Sequence, residues 1–210
     1  VKEHQPSVTF LCNPNNPTGL VEPEHNLRAL LKIATGIVLV DEAYAEFSDW
    51  SAMELVSDDV PLAVTRTFSK TLSMAALRVG YVVAPEWIIK NLEIAALPYH
   101  LDAFKQAATI AALSFTDEME TRVATIKSER SRIQNSLREL NLEVWESGSN
   151  FILFRASGKP ATEVWQSLLD HGVLVRDCSS WPRLAGCLRV TVGTSDENSA
   201  FLQAIRAAVS

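Results

Sequence analysis

The sequence has 210 residues, with 19 basic and 25 acidic side chains, a formal net charge of −6 and 47% hydrophobic residues. This composition excludes disordered and fibrous classes, and a negative charge without a basic cluster argues against a nucleic-acid partner. No apolar run approaches the roughly 18 residues that a membrane-spanning helix needs, so we expect a soluble globular chain with no membrane partner.

The first half of the sequence alternates short apolar strands with helical segments. Val8–Cys12 leads into a proline-containing loop, and a helix with Pro23 in its first turn follows. Further buried strands are expected at Ile37–Val40, Leu62–Thr67 and Val79–Ala84. Apolar strands separated by helices predict an α/β fold with a largely parallel sheet. The last gap is shorter than a helical crossover requires, so we expect the fourth strand to run antiparallel.

The second half changes character at a long amphipathic helix. Asp117 and Glu120 have the spacing of a capping box, and a periodic apolar face extends from there to about Asn141. Two more helices are expected near residues 161–171 and after Ser195. Short apolar or alternating runs lie around them, at residues 142–146, 151–155, 173–176 and 187–192. These patterns predict a small C-terminal α+β domain over residues 113–210, after part of a large domain over residues 1–112.

Polar and charged residues gather where the early strands end. In chain order they are Asn16, Asp41, Tyr44, Thr67, Ser69, Lys70 and Arg78. Ligands of open α/β sheets bind outside the carboxyl ends of the strands, so we expect these side chains to converge. A lysine, a carboxylate, a phenol, an amide, two hydroxyls and an arginine together suit pyridoxal 5'-phosphate.

Two of these residues match the reactive parts of that cofactor. Lys70 can form a Schiff base with the aldehyde and can later move protons at the substrate carbon. Asp41 would lie against the pyridine nitrogen, where its charge keeps the nitrogen protonated and makes the ring an electron sink. Lys70 is therefore the predicted catalytic residue.

The remaining residues match the polar edges of the cofactor. Tyr44 and Asn16 can both donate a hydrogen bond to the phenolate oxygen. The phosphate can be bound by hydroxyls and a guanidinium. Thr67 and Ser69 supply the hydroxyls, and Arg78 supplies the guanidinium.

Two arginines in the late strands are candidates for holding the substrate. Arg176 and Arg189 each lie in an apolar run of the small domain, and each can hold an anionic end of a small molecule. The four histidines have no metal-like spacing, so no metal site is predicted. The three cysteines form no Cys-x-x-Cys pair, which favours a reducing, cytoplasmic location.

Several stretches resemble the fold-type I, aspartate aminotransferase-like family of pyridoxal-phosphate enzymes, and within it the histidinol-phosphate aminotransferase branch. Three stretches are shared widely in the family: NPNNPTG (13–19), VDEAYAEF (40–47) and RTFSKTLSMAALRVGY (66–81). Three others point to the branch: LPYHLDAFKQAA (97–108), SGSNFILFR (147–155) and VLVRDCSSWPRLAGCLRVTVGT (173–194).

The resemblance implies the same cofactor roles for the residues after the early strands. It also implies that Arg189 binds the substrate anion and that Arg176 helps to hold the substrate phosphate. A homodimer is implied as well, since the family's site is shared between subunits. The likeness covers only the later part of the family's chain: a glycine-containing phosphate turn and a stacking aromatic precede it there. We therefore expect the N-terminal part of the family's chain to be missing.

The resemblance implies transamination of L-histidinol phosphate with 2-oxoglutarate in histidine biosynthesis, by a ping-pong mechanism. A threonine-phosphate decarboxylase-like lyase and an aromatic amino-acid aminotransferase are alternatives, because both also use an anion-binding arginine. A third alternative is a catalytically inert piece that serves only as a dimerising or binding module.

Overall fold

The computed structural model describes residues 1–156 and 158–210, which fall into two units. The first unit comprises Val1–Pro14 and Val21–Val123, and the second comprises Asn15–Leu20 and Ala124–Ser210. The second unit is thus built from two separate stretches of chain. The expected domains, residues 1–112 and 113–210, stay a prediction.

The first unit contains a four-stranded sheet with the order β1-β2-β3-β4. The strands are β1 (Val8–Cys12), β2 (Ile37–Asp41), β3 (Leu62–Thr67) and β4 (Gly80–Val83). The pairs β1–β2 and β2–β3 are parallel, whereas β3–β4 is antiparallel. The mostly parallel sheet and the reversed fourth strand are both as the sequence predicts.

Helix α1 (Glu24–Ile33) packs on this sheet through Leu27, which is completely buried. It shares a core with apolar side chains of β2, β3 and the segment between them: Val38, Val40, Ala52, Leu62 and Val64. Short 3-10 helices occupy the loops, at Ala45–Phe47, Ala52–Leu55, Ala75–Leu77 and Leu113–Phe115.

Two helices of the first unit are absent from the sequence prediction. They are α2 (Glu86–Ala95) and α3 (Ala103–Ala112). Their large apolar side chains are exposed: Ile94 is 84% exposed and Phe104 is 89% exposed. Both helices are only ten residues long, and a segment this short cannot be assigned from the periodicity of its apolar residues alone.

Helix α4 (Thr116–Glu139) begins differently from the prediction. The chain enters it from the 3-10 turn Leu113–Phe115, so Asp117 lies inside the first turn and is not a cap. The predicted capping box is therefore wrong, because a chain that is already helical leaves no free N-terminus to cap. The predicted end is confirmed: Asn141 has a left-handed φ of 56°.

The second unit contains a four-stranded antiparallel sheet with the order β5-β6-β8-β7. The strands are β5 (Glu143–Val144), β6 (Phe151–Arg155), β7 (Arg176–Asp177) and β8 (Cys187–Thr191). Strand β7 begins later than predicted, because the Val173 N–H donates to the Leu168 carbonyl and so completes the end of the preceding helix.

Two helices pack against this second sheet, α5 (Ala161–Asp170) and α6 (Ser195–Val209). Helix α6 begins with a capping box, in which Thr194 and Glu197 bond each other's backbone N–H. The core of the unit combines completely buried residues of α4, α5, α6 and β6, namely Ile133, Leu137, Ile152, Phe154, Val164, Leu168 and Ile205. Across residues 1–156 and 158–210, each helix is too short or too polar to cross a bilayer.

Candidate functional site

A cavity of about 380 Å³ opens at the carboxyl ends of β2 and β3. Parallel strands end at the same edge of a sheet, and the antiparallel β4 starts at that edge. The cavity lining includes five of the predicted site residues, Asp41, Thr67, Ser69, Lys70 and Arg78. The convergence that the strand ends predict is thus present in the first unit.

Asp41 is the last residue of β2 and presents an exposed carboxylate to this cavity. Its Oδ1 accepts the N–H of Ala43 at 3.1 Å, which fixes the carboxylate at the start of the loop. Its backbone carbonyl accepts the N–H of Asn13 at 2.9 Å, so the end of β2 is held by the neighbouring chain segment.

Thr67 and Ser69 form a pair of hydroxyls on the wall of the cavity. Thr67 Oγ1 donates to Ser69 Oγ at 2.9 Å and accepts the Ser69 N–H at 3.1 Å. Arg78 lines the same cavity in a left-handed conformation, with φ of 56°, and its guanidinium donates to the Ala75 carbonyl. Hydroxyls and a guanidinium around one cavity are the donors that an anion needs.

Lys70 and Tyr44 are in contact beside the cavity. The Lys70 ammonium lies 5.0 Å from the centre of the Tyr44 ring, within the range of a cation–π interaction. Tyr44 is buried and immediately precedes the 3-10 helix Ala45–Phe47. The contact brings the predicted catalytic amine next to the phenol.

A buried ion-pair network lies between the ends of β2 and β3. Arg66 contacts Glu42 at 2.7 Å and Glu46 at 3.0 Å. Burial opposes the charge of Arg66, but attraction to Glu42 and Glu46 and its hydrogen bonds to them prevail and raise the pKa of the guanidinium. No role for these three residues is predicted from the sequence. The available signal was a charged residue, Arg66, in a strand whose first three residues are apolar and buried.

The second unit contains Asn16 and Arg189, which are hydrogen-bonded to each other. The Arg189 guanidinium also stacks on the Phe151 ring, 4.7 Å from its centre. The loop that carries Asn16 is attached to this unit by the Gly148 N–H, which donates to the Gly19 carbonyl at 2.8 Å.

Arg176 lies directly opposite Arg189 in the β7–β8 pair. Side chains at directly opposite positions share one face of a sheet, and like charges there repel each other. The Nε atom of Arg189 is buried and has no hydrogen-bond partner within the part of the chain that the structure describes. Both observations indicate a place where an anion would be stabilised.

Cys178 is buried beside these arginines. Burial raises the pKa of its thiol, and the opposing effect of Arg189 and Arg176 is smaller. The thiol packs with Leu153 and Cys187 in a small apolar cluster. A buried thiol of this kind is a packing group and a poor nucleophile. No group of three or more metal-ligating side chains occurs among residues 1–156 and 158–210.

Comparisons with known proteins match nearly the whole chain. The family model "Aminotransferase class I and II" matches residues 1–205. The histidinol-phosphate aminotransferase of Corynebacterium diphtheriae is 42% identical over 208 residues, covering 98% of this chain and 56% of that protein. The enzyme of the same name from Thermobifida fusca is 43% identical over 211 residues, covering 98% of this chain and 55% of that protein. The chain thus spans about half the length of these curated relatives.

A solved structure supports the same likeness. The histidinol-phosphate aminotransferase of Sinorhizobium meliloti, in complex with pyridoxal-5'-phosphate, superposes with a TM-score of 0.86 at 25% identity. The superposition covers 99% of this chain and 58% of that one. It confirms the predicted α/β fold, a partial large-domain sheet followed by a small α+β part.

Proposed function

Because the chain belongs to the family of class I and II aminotransferases, we propose that it carries the lysine-bearing part of a pyridoxal-phosphate-dependent enzyme. The proposed reaction transfers the amino group of L-histidinol phosphate to 2-oxoglutarate. The observation that carries the proposal is the cavity where Lys70, Asp41 and Arg78 meet at the ends of two parallel strands. The names of the relatives that are 42–43% identical supply the substrate.

The chemistry of the side chains fits the cofactor. The cavity combines an amine, a carboxylate, two hydroxyls and a guanidinium, which together suit an aldehyde, a pyridine nitrogen and a phosphate. We assign Lys70 to the aldehyde carbon and Asp41 to the pyridine nitrogen. The phosphate is assigned to Thr67, Ser69 and Arg78, and the phenolate oxygen to Tyr44 and Asn16.

When bound, pyridoxal phosphate supplies an electron sink for the charge left on the substrate carbon after a proton is removed. In the proposed mechanism, the Lys70 amine removes that proton and returns one at a later step. Its position beside the Tyr44 ring, at 5.0 Å, keeps the amine at the cavity and limits the rotamers that it can adopt. The negative charge of Asp41 favours a protonated nitrogen next to it.

The two arginines of the second unit are proposed to bind the substrates. Arg176 and Arg189 lie opposite each other, and an anion between them would relieve their repulsion. We assign Arg189 to the substrate anion and Arg176 to the phosphate of the amino donor. The mechanism is ping-pong, because the amino donor gives up its amino group to the site, and its oxo product must leave these arginines before the carboxylates of 2-oxoglutarate bind there.

The test is to supply the protein with pyridoxal phosphate, histidinol phosphate and 2-oxoglutarate and to measure glutamate. Glutamate formation is expected. Carbon dioxide release from threonine phosphate would instead support the decarboxylase, and turnover of phenylalanine or tyrosine would support the aromatic aminotransferase. Cofactor binding without any turnover would indicate an inert binding module. A homodimer and a cytoplasmic location stay predictions, and sedimentation velocity measures the first.

A further inference from the structure

We propose that Arg66 is a positioning residue, which acts with Glu42 and Glu46 to hold the cofactor-contacting side chains of the first unit in place. The proposal rests on the proposed function, because the groups that it positions are those assigned to pyridoxal phosphate. Arg66 itself is assigned no contact with the cofactor.

The guanidinium of Arg66 is bound through all three of its nitrogens. Nε donates to Glu42 Oε2 at 2.8 Å, Nη1 donates to Glu46 Oε1 at 3.0 Å, and Nη2 donates to Ser51 Oγ at 2.8 Å. The planar fork of arginine fixes the directions of these bonds, so the three partners are held in one arrangement. A lysine ammonium is a point charge and would not impose that arrangement.

Glu42 provides the other half of the network and is completely buried. Besides Arg66, its carboxylate accepts the Ser51 hydroxyl at 2.8 Å and the backbone N–H of Ala52. A fully desolvated carboxylate is tolerated only when its lone pairs are satisfied, as they are here. The network therefore joins the end of β2 to the segment that follows it and to β3.

Each charged member of the network is close in sequence to an assigned cofactor contact. Glu42 follows Asp41 directly, and Arg66 precedes Thr67 directly. Consecutive side chains of a strand point to opposite faces, so in β3 the guanidinium points away from the Thr67 hydroxyl. The bonds of Arg66 thus fix the β3 backbone directly before the residue whose hydroxyl is assigned to the phosphate, and Arg66 itself is among the residues around the cavity.

Glu46 connects the network to the phenol. It lies in the 3-10 helix Ala45–Phe47, which begins immediately after Tyr44. The bond from Arg66 to Glu46 therefore restrains the backbone that carries the ring beside Lys70. The Arg66 side chain therefore restrains the backbone next to three assigned contacts, which are Asp41, Tyr44 and Thr67.

The experiment compares Arg66→Lys with the unchanged protein in three measurements: the dissociation constant of pyridoxal phosphate, the pH midpoint of its visible absorbance band, and the melting temperature without cofactor. Arg28→Lys is the matched control, since Arg28 forms an exposed Arg–Glu pair with Glu24 in the same unit. We expect Arg66→Lys to raise the dissociation constant about tenfold or more and to shift the pH midpoint, whereas Arg28→Lys changes neither.

If Arg66 has only a structural role, Arg66→Lys would lower the melting temperature but leave unchanged the pH midpoint of the protein that is folded and has bound pyridoxal phosphate. That result would overturn the proposal. If Arg66→Lys does not fold, Glu46→Gln decides, because Glu46 is at the edge of the network and Glu42 still balances Arg66. Weaker binding with a shifted midpoint supports the proposal, and unchanged values overturn it. Absence of any band in the unchanged protein is a different result, which refutes the proposed function itself.

Discussion

Arg189 donates a hydrogen bond from its guanidinium to the side-chain oxygen of Asn16, a residue 173 positions earlier in the chain. From the sequence, Asn16 is expected to contact the cofactor and Arg189 the substrate, as two separate roles. Their contact makes them one group within the second unit. A change at either residue is therefore expected to alter the binding of both molecules.

Arg189→Lys tests that group. Lysine keeps the charge but loses the fork that bonds Asn16 and stacks on Phe151. Loss of a charge-assisted hydrogen bond of this kind should lower kcat/KM about ten- to hundredfold for both the amino donor and 2-oxoglutarate. Steady-state kinetics measure the loss, with Arg206→Lys on the exposed side of α6 as the control. Equal kinetics for the two variants would contradict the assignment.

Lys70→Ala tests the catalytic amine. The variant is expected to form no covalent adduct when pyridoxal phosphate and borohydride are added, because its cavity then has no amine. Intact-mass spectrometry measures the adduct. Lys90→Ala is the control, since Lys90 forms an exposed pair with Glu86 on α2 and should leave the adduct unchanged. An adduct that survives in Lys70→Ala would mean that another lysine binds the cofactor.

Asp41→Asn tests the negative charge at the end of β2. The amide keeps the shape and can still accept the Ala43 N–H, but it no longer favours a protonated nitrogen beside it. We expect kcat to fall about 10²- to 10³-fold with little change in melting temperature. Asp58→Asn, in an exposed loop, should leave kcat unchanged. A loss smaller than threefold would refute the role of Asp41.

Glu129 gives a stability prediction that depends on pH. Hydrogen bonds from Arg132 and Asn198 hold the pKa of its carboxyl below the usual range. The folded state thus favours the ionised form, so this stabilisation is present above the ordinary carboxyl pKa. It is lost as pH falls through the lowered pKa.

At pH 7 the free energy of unfolding of Glu129→Gln should therefore be about 1 kcal/mol lower than that of the unchanged protein, as measured by urea unfolding. The two should approach each other as the pH falls below 4. Glu139→Gln, on the exposed side of the last turn of α4, is the control and should show no such convergence. A difference in stability that stays constant across this pH range would contradict the prediction.

Gly19→Ala tests the attachment of the loop that carries Asn16. Gly19 has φ of 75°, and an added Cβ would lie 2.4 Å from Ser147 Oγ and 2.8 Å from Ser147 Cβ. Gly172→Ala is a matched control with φ of 77° and no atom within 4 Å of the added Cβ. Urea unfolding should show a loss of about 1 kcal/mol for Gly172→Ala and a clearly larger loss for Gly19→Ala. Equal losses would show that the contact with Ser147 relaxes without cost.

The parts of the fold that could be predicted from the sequence are those in which apolar residues form a continuous run or recur with a regular spacing. Strand β3 was predicted with the bounds it has, because Leu62 to Val64 form a continuous buried run. Helix α3 was not predicted, because it is only ten residues long and five of those residues are alanine. A segment this short cannot be assigned from the periodicity of its apolar residues alone.

The same limit applies to the site. The cavity residues could be predicted because they follow strands, and strand ends of a parallel sheet meet at one edge. The bond between Arg66 and Glu42 joins residues 24 positions apart and depends on the register of β2 against β3. Sequence patterns indicate that a strand exists but not which residue faces which on its neighbour.

The second unit also has a consequence for the exchange of segments between related proteins. Its two stretches, Asn15–Leu20 and Ala124–Ser210, are separated by more than a hundred residues of the first unit. A chimera that takes only the C-terminal stretch from a relative would combine a foreign residue at position 147 with the resident Gly19, where a Cβ added to Gly19 would lie 2.4 Å from Ser147 Oγ. Compatible chimeras must therefore carry the six-residue loop 15–20 together with the C-terminal stretch.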